Sequence, residues 1–174
     1  MESDSKEYYS EGDPRDDLRL PKFGPDGEIG DVPVPRVVVE REVVVAGVFE
    51  RTSFDGSDAQ TFVLLEDRNG RKVCIFIGQF EAVSLHQHLE EKKSERPHTY
   101  ELFVQMMERL GARVDRVIID DVFQETFYAK MVVQVGDHSM DIDCRPSDAV
   151  NLALRMKAPI FMAEDVIDSS EVDI

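Results

Sequence analysis

Asp143-Cys144-Arg145-Pro146-Ser147-Asp148 brings two carboxylates, a guanidinium and a hydroxyl into six consecutive residues. Side chains alternate along an extended chain, so Asp141, Asp143 and Arg145 are expected on one face of a strand. A helix is expected from about Pro146, which puts Arg145, Ser147 and Asp148 at a strand-to-helix turn. Acids, a guanidinium and helix N–H groups in that small volume suit phosphate or a metal–phosphate complex. The structural reading of the same residues is an Asp143–Arg145 ion pair, with Ser147 and Asp148 capping the helix. A second polar run, Arg96-Pro97-His98-Thr99-Tyr100-Glu101, sits where one helix hands over to the next. Arg96 there could clamp an anion, and Glu101 could act as a base or metal ligand. In the alternative, Thr99 caps a helix, Glu101 answers its dipole and Arg96 is solvated. His86 and His88, two apart on an expected helix, point in different directions and cannot chelate one ion together. No Gly-rich phosphate loop, G-x-S-x-G or H-E-x-x-H is present.

The elements that must position these residues repeat. Strands are expected over 37–49, 61–66 and 71–77, the last two joined through Asp67-Arg68-Asn69-Gly70, a hairpin signal because Asn and Gly tolerate positive φ. A helix follows over 79–90 with Ala82, Leu85 and Leu89 on one stripe. A second helix is expected over 99–110, capped by Thr99 and ended by Gly111. Its stripe of Leu102, Phe103, Met106, Met107 and Leu110 reads as core. The pattern then restarts: strands over 114–120, 127–135 and 140–144, a helix over 146–157, and a short last strand over 160–162. A shift of 67 lays Ile75-Phe76-Ile77 on Ile142-Asp143-Cys144, Glu81-Ala82-Val83 on Asp148-Ala149-Val150, and Leu85 on Leu152. Upstream, Thr61-Phe62 falls near Thr126-Phe127 with a two-residue slip. The expected fold is α+β: internally duplicated β-β-β-α units whose six strands form one curved or barrel-like mixed sheet with helices packed on it.

Glu81 and Asp148 each fall about three residues into a helix, where an acid answers unpaired N–H groups and the helix dipole; features shared by both copies read as structural. Asp141 and Asp143 differ, because their counterparts Cys74 and Phe76 are apolar. A carboxylate that replaces Phe on a duplicated sheet face is a functional signal.

The bulk properties narrow the class. The chain has 174 residues and a net charge of −16. Residues 1–33 carry ten acids and four bases and lack apolar periodicity, so 1–35 is expected to be a disordered acidic tail before a domain over 36–170. No basic footprint for gripping phosphates is evident. Cys74 and Cys144 stand far apart with no C-x-x-C pair, which supports neither a zinc knuckle nor a redox motif and fits a reducing compartment. No apolar run approaches a membrane span and the N-terminus is not a signal peptide, so a cytoplasmic protein is expected, without membrane contact and with homo-oligomerisation open.

Ile75-Phe76-Ile77-Gly78 with Glu81-Ala82, then Arg96-Pro97-x-Thr99-x-Glu101-Leu102, then Asp143-x-Arg145-Pro146-Ser147-Asp148-Ala149, closing on Leu152-Ala153-Leu154-Arg155 and Ala158-Pro159-Ile160-Phe161, together resemble the bifunctional nuclease domain family over about 37–166. The chain departs from the family pattern at Cys74, where Pro is usual, at Tyr100, where His is usual, and at Val150-Asn151. The resemblance implies a duplicated α+β domain and a nuclease that acts on DNA and RNA with low sequence selectivity. On that reading Asp143 and Asp148, with Glu81 or Glu101, hold Mg²⁺ or Mn²⁺. Arg145 and Arg96, with Thr99 and Ser147, meet the phosphate of a nucleic-acid substrate. The competing expectation is a non-catalytic module that seats an anion or a partner carboxylate in the same cluster.

Overall fold

The computed structural model describes residues 38–52, 59–92 and 94–173; the expected tail over 1–35 and the expected domain start at 36 lie outside the described residues. Valine-rich β1 (Glu40–Thr52) pairs antiparallel with β2 (Ala59–Asp67), which pairs antiparallel with β3 (Lys72–Phe76). At the β2–β3 turn Gly70 takes φ +82°, and Asp67 Oδ1 accepts from the Asn69 and Arg71 amides at 2.8 and 2.9 Å. After α1 (Gln79–Leu89) and α2 (Thr99–Arg109) a second antiparallel meander follows: β4 (Ala112–Phe123), β5 (Thr126–Val135) and β6 (His138–Cys144). Then come α3 (Pro146–Met156), β7 (Ile160–Ala163) and α4 (Glu164–Ser170), the last without a counterpart in the sequence reading.

The strand order is β3-β2-β1-β7-β4-β5-β6. β7 lies antiparallel to β1 and parallel to β4. The expected curved or barrel-like sheet of six strands is therefore corrected to a single seven-stranded mixed sheet that is neither closed nor strongly curled. The cause is β7. It wedges between the two meanders and leaves β3 and β6 as opposite edges, while an antiparallel bridge from Val73 to Glu171 covers β3 on its outer side. Val63, Leu65, Val73 and Ile75 from one meander, and Val117, Ile119, Ala129, Met131 and Val133 from the other, share one core with the helices.

The duplication is carried by this topology. α1 and α3 each have 11 residues, and both ends are offset by 67. Ala82 and Ala149 are equivalent and buried, as are Leu85 and Leu152. Burying such a leucine contributes roughly 1.5–3 kcal/mol. The slip that matched Thr61-Phe62 to Thr126-Phe127 is corrected by strand register. Phe62 pairs with Phe76 and Lys130 with Asp143, so β2 and β5 correspond at an offset of 68. That register lays Val63-Leu64-Leu65 on Met131-Val132-Val133, all buried. Hydrogen-bond pairing, not residue identity, fixes the match.

Helix α2 differs from its expected packing in two ways. His98, not Thr99, is the N-cap, and its amide donates to Glu101 Oε2 at 3.1 Å. The apolar stripe faces outward: Leu102, Phe103, Met106 and Leu110 are exposed, and Met107 alone of the five is buried. The inward face is Tyr100, Val104 and Met107. Polar contacts made by Tyr100 to Asp148 and by Glu101 to Arg155 set the rotation of this helix about its axis.

Candidate functional site

Both β-β-β-α units end by turning a strand into a helix, and both helices carry an acid at the third position, Glu81 in α1 and Asp148 in α3. The residue before each helix differs between copies: Gly78 in one, Arg145 in the other. At 78 the Glu81 carboxylate occupies the space beside the backbone: an added Cβ would stand 2.3 Å from Glu81 Oε2, so a side chain there would displace that carboxylate. At 145 the arginine fills the equivalent corner and serves both helices. Its Nε donates to Asp148 Oδ2 at 2.8 Å, and its Nη2 donates to Asp148 Oδ1 at 3.1 Å and to Glu81 Oε1 at 2.8 Å. One guanidinium thus joins the N-terminal turns of α1 and α3.

A third helix completes the cluster. The Tyr100 hydroxyl, at the start of α2, donates to Asp148 Oδ1 at 2.6 Å. Burial and that bond push the phenol well above its ordinary pKa. The bonds from Asp148 and Glu81 hold Arg145 firmly charged. The Arg145 side chain is 67% exposed, against 16% for Glu81 and 29% for Asp148, so the cluster presents a cation outward and keeps its acids behind it.

Beside this cluster lies a buried clasp that sequence reasoning missed. Arg155, 5% exposed, uses every N–H of its guanidinium. Nε meets Glu101 Oε1 at 2.8 Å, Nη1 meets the Asn151 carbonyl and Oδ1, and Nη2 meets the Ser84 carbonyl and Oγ. Its guanidinium also lies 5.3 Å from the Tyr100 ring centroid. Fully buried Asn151 ties α3 to α1 by donating to the Glu81 carbonyl at 3.2 Å. Burial opposes ionisation of Glu101, but the bond and charge of Arg155 outweigh it and hold the carboxyl below its usual range. The 67-residue shift was the available signal: it superposes Ser84 on Asn151 and His88 on Arg155, polar residues where two helices meet.

The residues expected to act together are partly gathered and partly dispersed. Glu81, Arg145 and Asp148 form one cluster, and Glu101 joins the neighbouring clasp. Asp143 stands elsewhere. It pairs in register with Lys130, whose neighbours Ala129 and Met131 point into the core, so both face away from the helices. The Asp143–Arg145 ion pair does not form. Lys130 bonds Asp120 at 3.1 Å and approaches Asp141 at 4.0 Å, while Arg145 turns back over the helices. Arg96 is exposed, makes no ion pair among the described residues, and lines a cleft of about 540 Å³ with His98 and Glu101. Thr99 is exposed, and Ser147 is buried, with its carbonyl accepting from Asn151 at 2.9 Å.

These positions do not fit a divalent ion. Among the described residues no three His, Cys, Asp or Glu side chains gather around one point. Of the carboxylates expected to hold Mg²⁺ or Mn²⁺, Glu81 and Asp148 direct their oxygens at Arg145 and Tyr100, and Asp143 lies on the opposite face of the sheet. Nor is either thiol a ready ligand: burial and the nearby Asp143 and Asp148 push Cys144 up to about 11, and burial raises Cys74. No helix among the described residues is long and apolar enough to cross a membrane.

Comparison with known proteins bears on this cluster. An uncharacterized protein of Mycobacterium tuberculosis is 35% identical over 109 residues, which cover 62% of this chain and 65% of that protein. Bifunctional nuclease 2 of Oryza sativa subsp. japonica is 33% identical over 99 residues, 55% of this chain and 30% of the plant protein. Bifunctional nuclease 2 of Arabidopsis thaliana is 31% identical over 99 residues, again 30% of its length. The matched stretch therefore falls short of two thirds of the mycobacterial protein and is under a third of the plant ones. Residues 63–174, from β2 through the Arg145 cluster to α4, match the bifunctional nuclease domain model, and the chain belongs to that family.

Proposed function

We propose that this chain is a nucleic-acid phosphodiester hydrolase whose phosphate seat is Arg145. The observation that carries the reading is the exposed guanidinium held at two helix N-termini by Glu81 and Asp148, with no hydrogen bond on Nη1 among the described residues. A phosphodiester oxygen that meets Nη1 gains a charge-assisted bond and the favourable ends of two helix dipoles. The same fixed charge stabilises the extra negative charge that develops as water adds to phosphorus and a P–O bond breaks. Asp148 and Glu81 orient the guanidinium, and Tyr100 orients Asp148. This seat neutralises phosphate without an ion, so EDTA should leave nucleic-acid binding unchanged.

A second reading, a non-catalytic anion-binding module, has its own support. Glu81 Oε1, both oxygens of Asp148 and Glu101 Oε1 already accept from an arginine or a phenol, which opposes the use of these carboxylates as a base toward water. One assay separates the two. Pure protein is incubated with fluorescently labelled DNA and RNA, beside Arg145→Met and Asp143→Asn. The hydrolase reading expects cleavage in the native protein, its loss in Arg145→Met and its retention in Asp143→Asn. Binding that Arg145→Met abolishes, with no cleavage by the native protein, selects the binding module.

A further inference from the structure

The two copies of the unit end the sheet in different ways. β3 and β6 are its opposite edges, and each pairs with its neighbour in the same register. Val63 pairs with Ile75 and Leu65 with Val73 in one copy, Met131 with Ile142 and Val133 with Met140 in the other. Val73 and Ile75 are therefore the equivalents of Met140 and Ile142. Yet Val73 is 2% and Ile75 3% exposed, against 46% for Met140 and 39% for Ile142. At β3 the chain itself supplies the cover. Glu171 bridges to Val73, the Val172 amide donates to the Lys72 carbonyl at 2.9 Å, and α4 brings Val166 and Ile167 into the core that holds both aliphatic residues. Among the described residues β6 has no such cover: no strand pairs with its outer edge, and His138 through Asp143 are all exposed. Unpaired N–H and C=O groups along an edge are a template for a further strand.

The side chains of β6 select what that strand can be. Alternation puts Met140 and Ile142 on the helix side of the sheet and Asp141 and Asp143 on the other. Acids on an edge discourage self-pairing, and β6 laid against β6 of a second copy would set these carboxylates near their own kind in a chain of net charge −16. Blocking alone does not account for the two aliphatic residues left open beside them. Among the described residues, Asp141 pairs only with Lys130, at 4.0 Å and already bonded to Asp120 at 3.1 Å, and Asp143 has no ion pair. We infer that β6 takes, as an eighth strand of the sheet, an extended segment of a protein partner, with apolar residues beside Met140 and Ile142 and lysine or arginine beside Asp141 and Asp143. Main-chain bonds give such a contact its affinity, and alternate side chains give its specificity. A nucleic acid meets neither demand: it has no peptide groups to continue the ladder, and its phosphates would face two carboxylates.

The test uses the full chain and a fluorescein-labelled synthetic peptide, Thr-Lys-Val-Lys-Val-Lys-Thr, whose two faces alternate as the inference requires. A second peptide has glutamate in place of each lysine. The lysine peptide should raise fluorescence anisotropy on binding and slow hydrogen exchange of the β6 amides, and the glutamate peptide should do neither. Asp141→Asn with Asp143→Asn should weaken binding by roughly 2- to 30-fold, and Met140→Thr with Ile142→Thr by a similar factor, since each double variant loses two cross-strand pairs. All four positions are exposed, so both variants should melt near the native temperature. Salt separates their effects: binding to the asparagine variant should lose most of its salt dependence, and binding to the threonine variant should keep it. No binding of the lysine peptide, equal binding of the glutamate peptide, native affinity in both double variants, or slowed exchange only outside β6 each overturns the inference. Sedimentation at rising protein concentration checks the other occupant. A native dimer that Met140→Thr with Ile142→Thr dissociates would assign the edge to a second copy and overturn the inference as well.

Discussion

At the scale of residues, the charged cluster is a chain of dependence. Arg155 fixes Glu101 and packs on Tyr100, Tyr100 holds Asp148, and Asp148 with Glu81 aims Arg145. The phenol is the link whose contribution titrates. Its pKa is raised in the folded chain above the unfolded value of about 10. Between those two values the folded state keeps a proton that the unfolded state has lost, so stability present below pH ~10 declines as pH rises further. Tyr100→Phe removes the bond to Asp148 and should cost about 1–2 kcal/mol near neutral pH. The variant should also lose less stability than the native chain between pH ~9 and ~11. Urea unfolding across that range measures both, and an unchanged alkaline slope would show that Tyr100 does not carry it.

Among the elements, α2 is the one whose orientation its own sequence misstates. Its largest apolar residues, Leu102, Phe103, Met106 and Leu110, lie outward, while Tyr100, Val104 and Met107 pack inward. An isolated helix would turn its widest apolar stripe to the core. Here the Tyr100–Asp148 bond and the Glu101–Arg155 pair turn it otherwise, because leaving buried Arg155 unpaired would cost several kcal/mol. The adjacent methionines give a sharp test. Met107→Ala should lose about 2–3 kcal/mol, as truncation of a buried side chain does. Met106→Lys, on the exposed face, should stay within about 0.5 kcal/mol of the native chain. Equal losses in chemical denaturation would mean that the face of Met106 is covered.

For the molecule as a whole, the net charge of −16 works against a polyanion. A nuclease that grips many phosphates shows a steep salt dependence, with log affinity falling by about 0.7 per phosphate contact for each unit of log salt on a single strand. If Arg145 is the principal cation in contact, the slope should be near −0.7, roughly a 2.6-fold loss between 50 and 200 mM salt. Six or more contacts would give a slope steeper than about −4. Fluorescence titration of a short single strand over that salt range decides between them, and a steep slope would point to a cationic path other than Arg145.

Much of the architecture was legible before any coordinates. The valine-rich first strand, the alternation over 127–135, the Asn69-Gly70 turn and the repeat at 67 are local or periodic signals, and periodicity is what backbone hydrogen bonding enforces. They specified the strand–strand–strand–helix units and placed Glu81 and Asp148 at equivalent helix positions. Three matters required the tertiary structure, each because it joins residues far apart in the chain. Four residues of β7, too short to signal a central strand, divide the two meanders and keep the sheet open. Arg155 and Asn151 look like ordinary helix residues until Ser84 and Glu101 surround them. The pleat, followed by the turn into α3, sends Asp143 to one face of the sheet and Arg145 to the other. Two residues apart in sequence, they were expected to share a site; the change from strand to helix between them separates them.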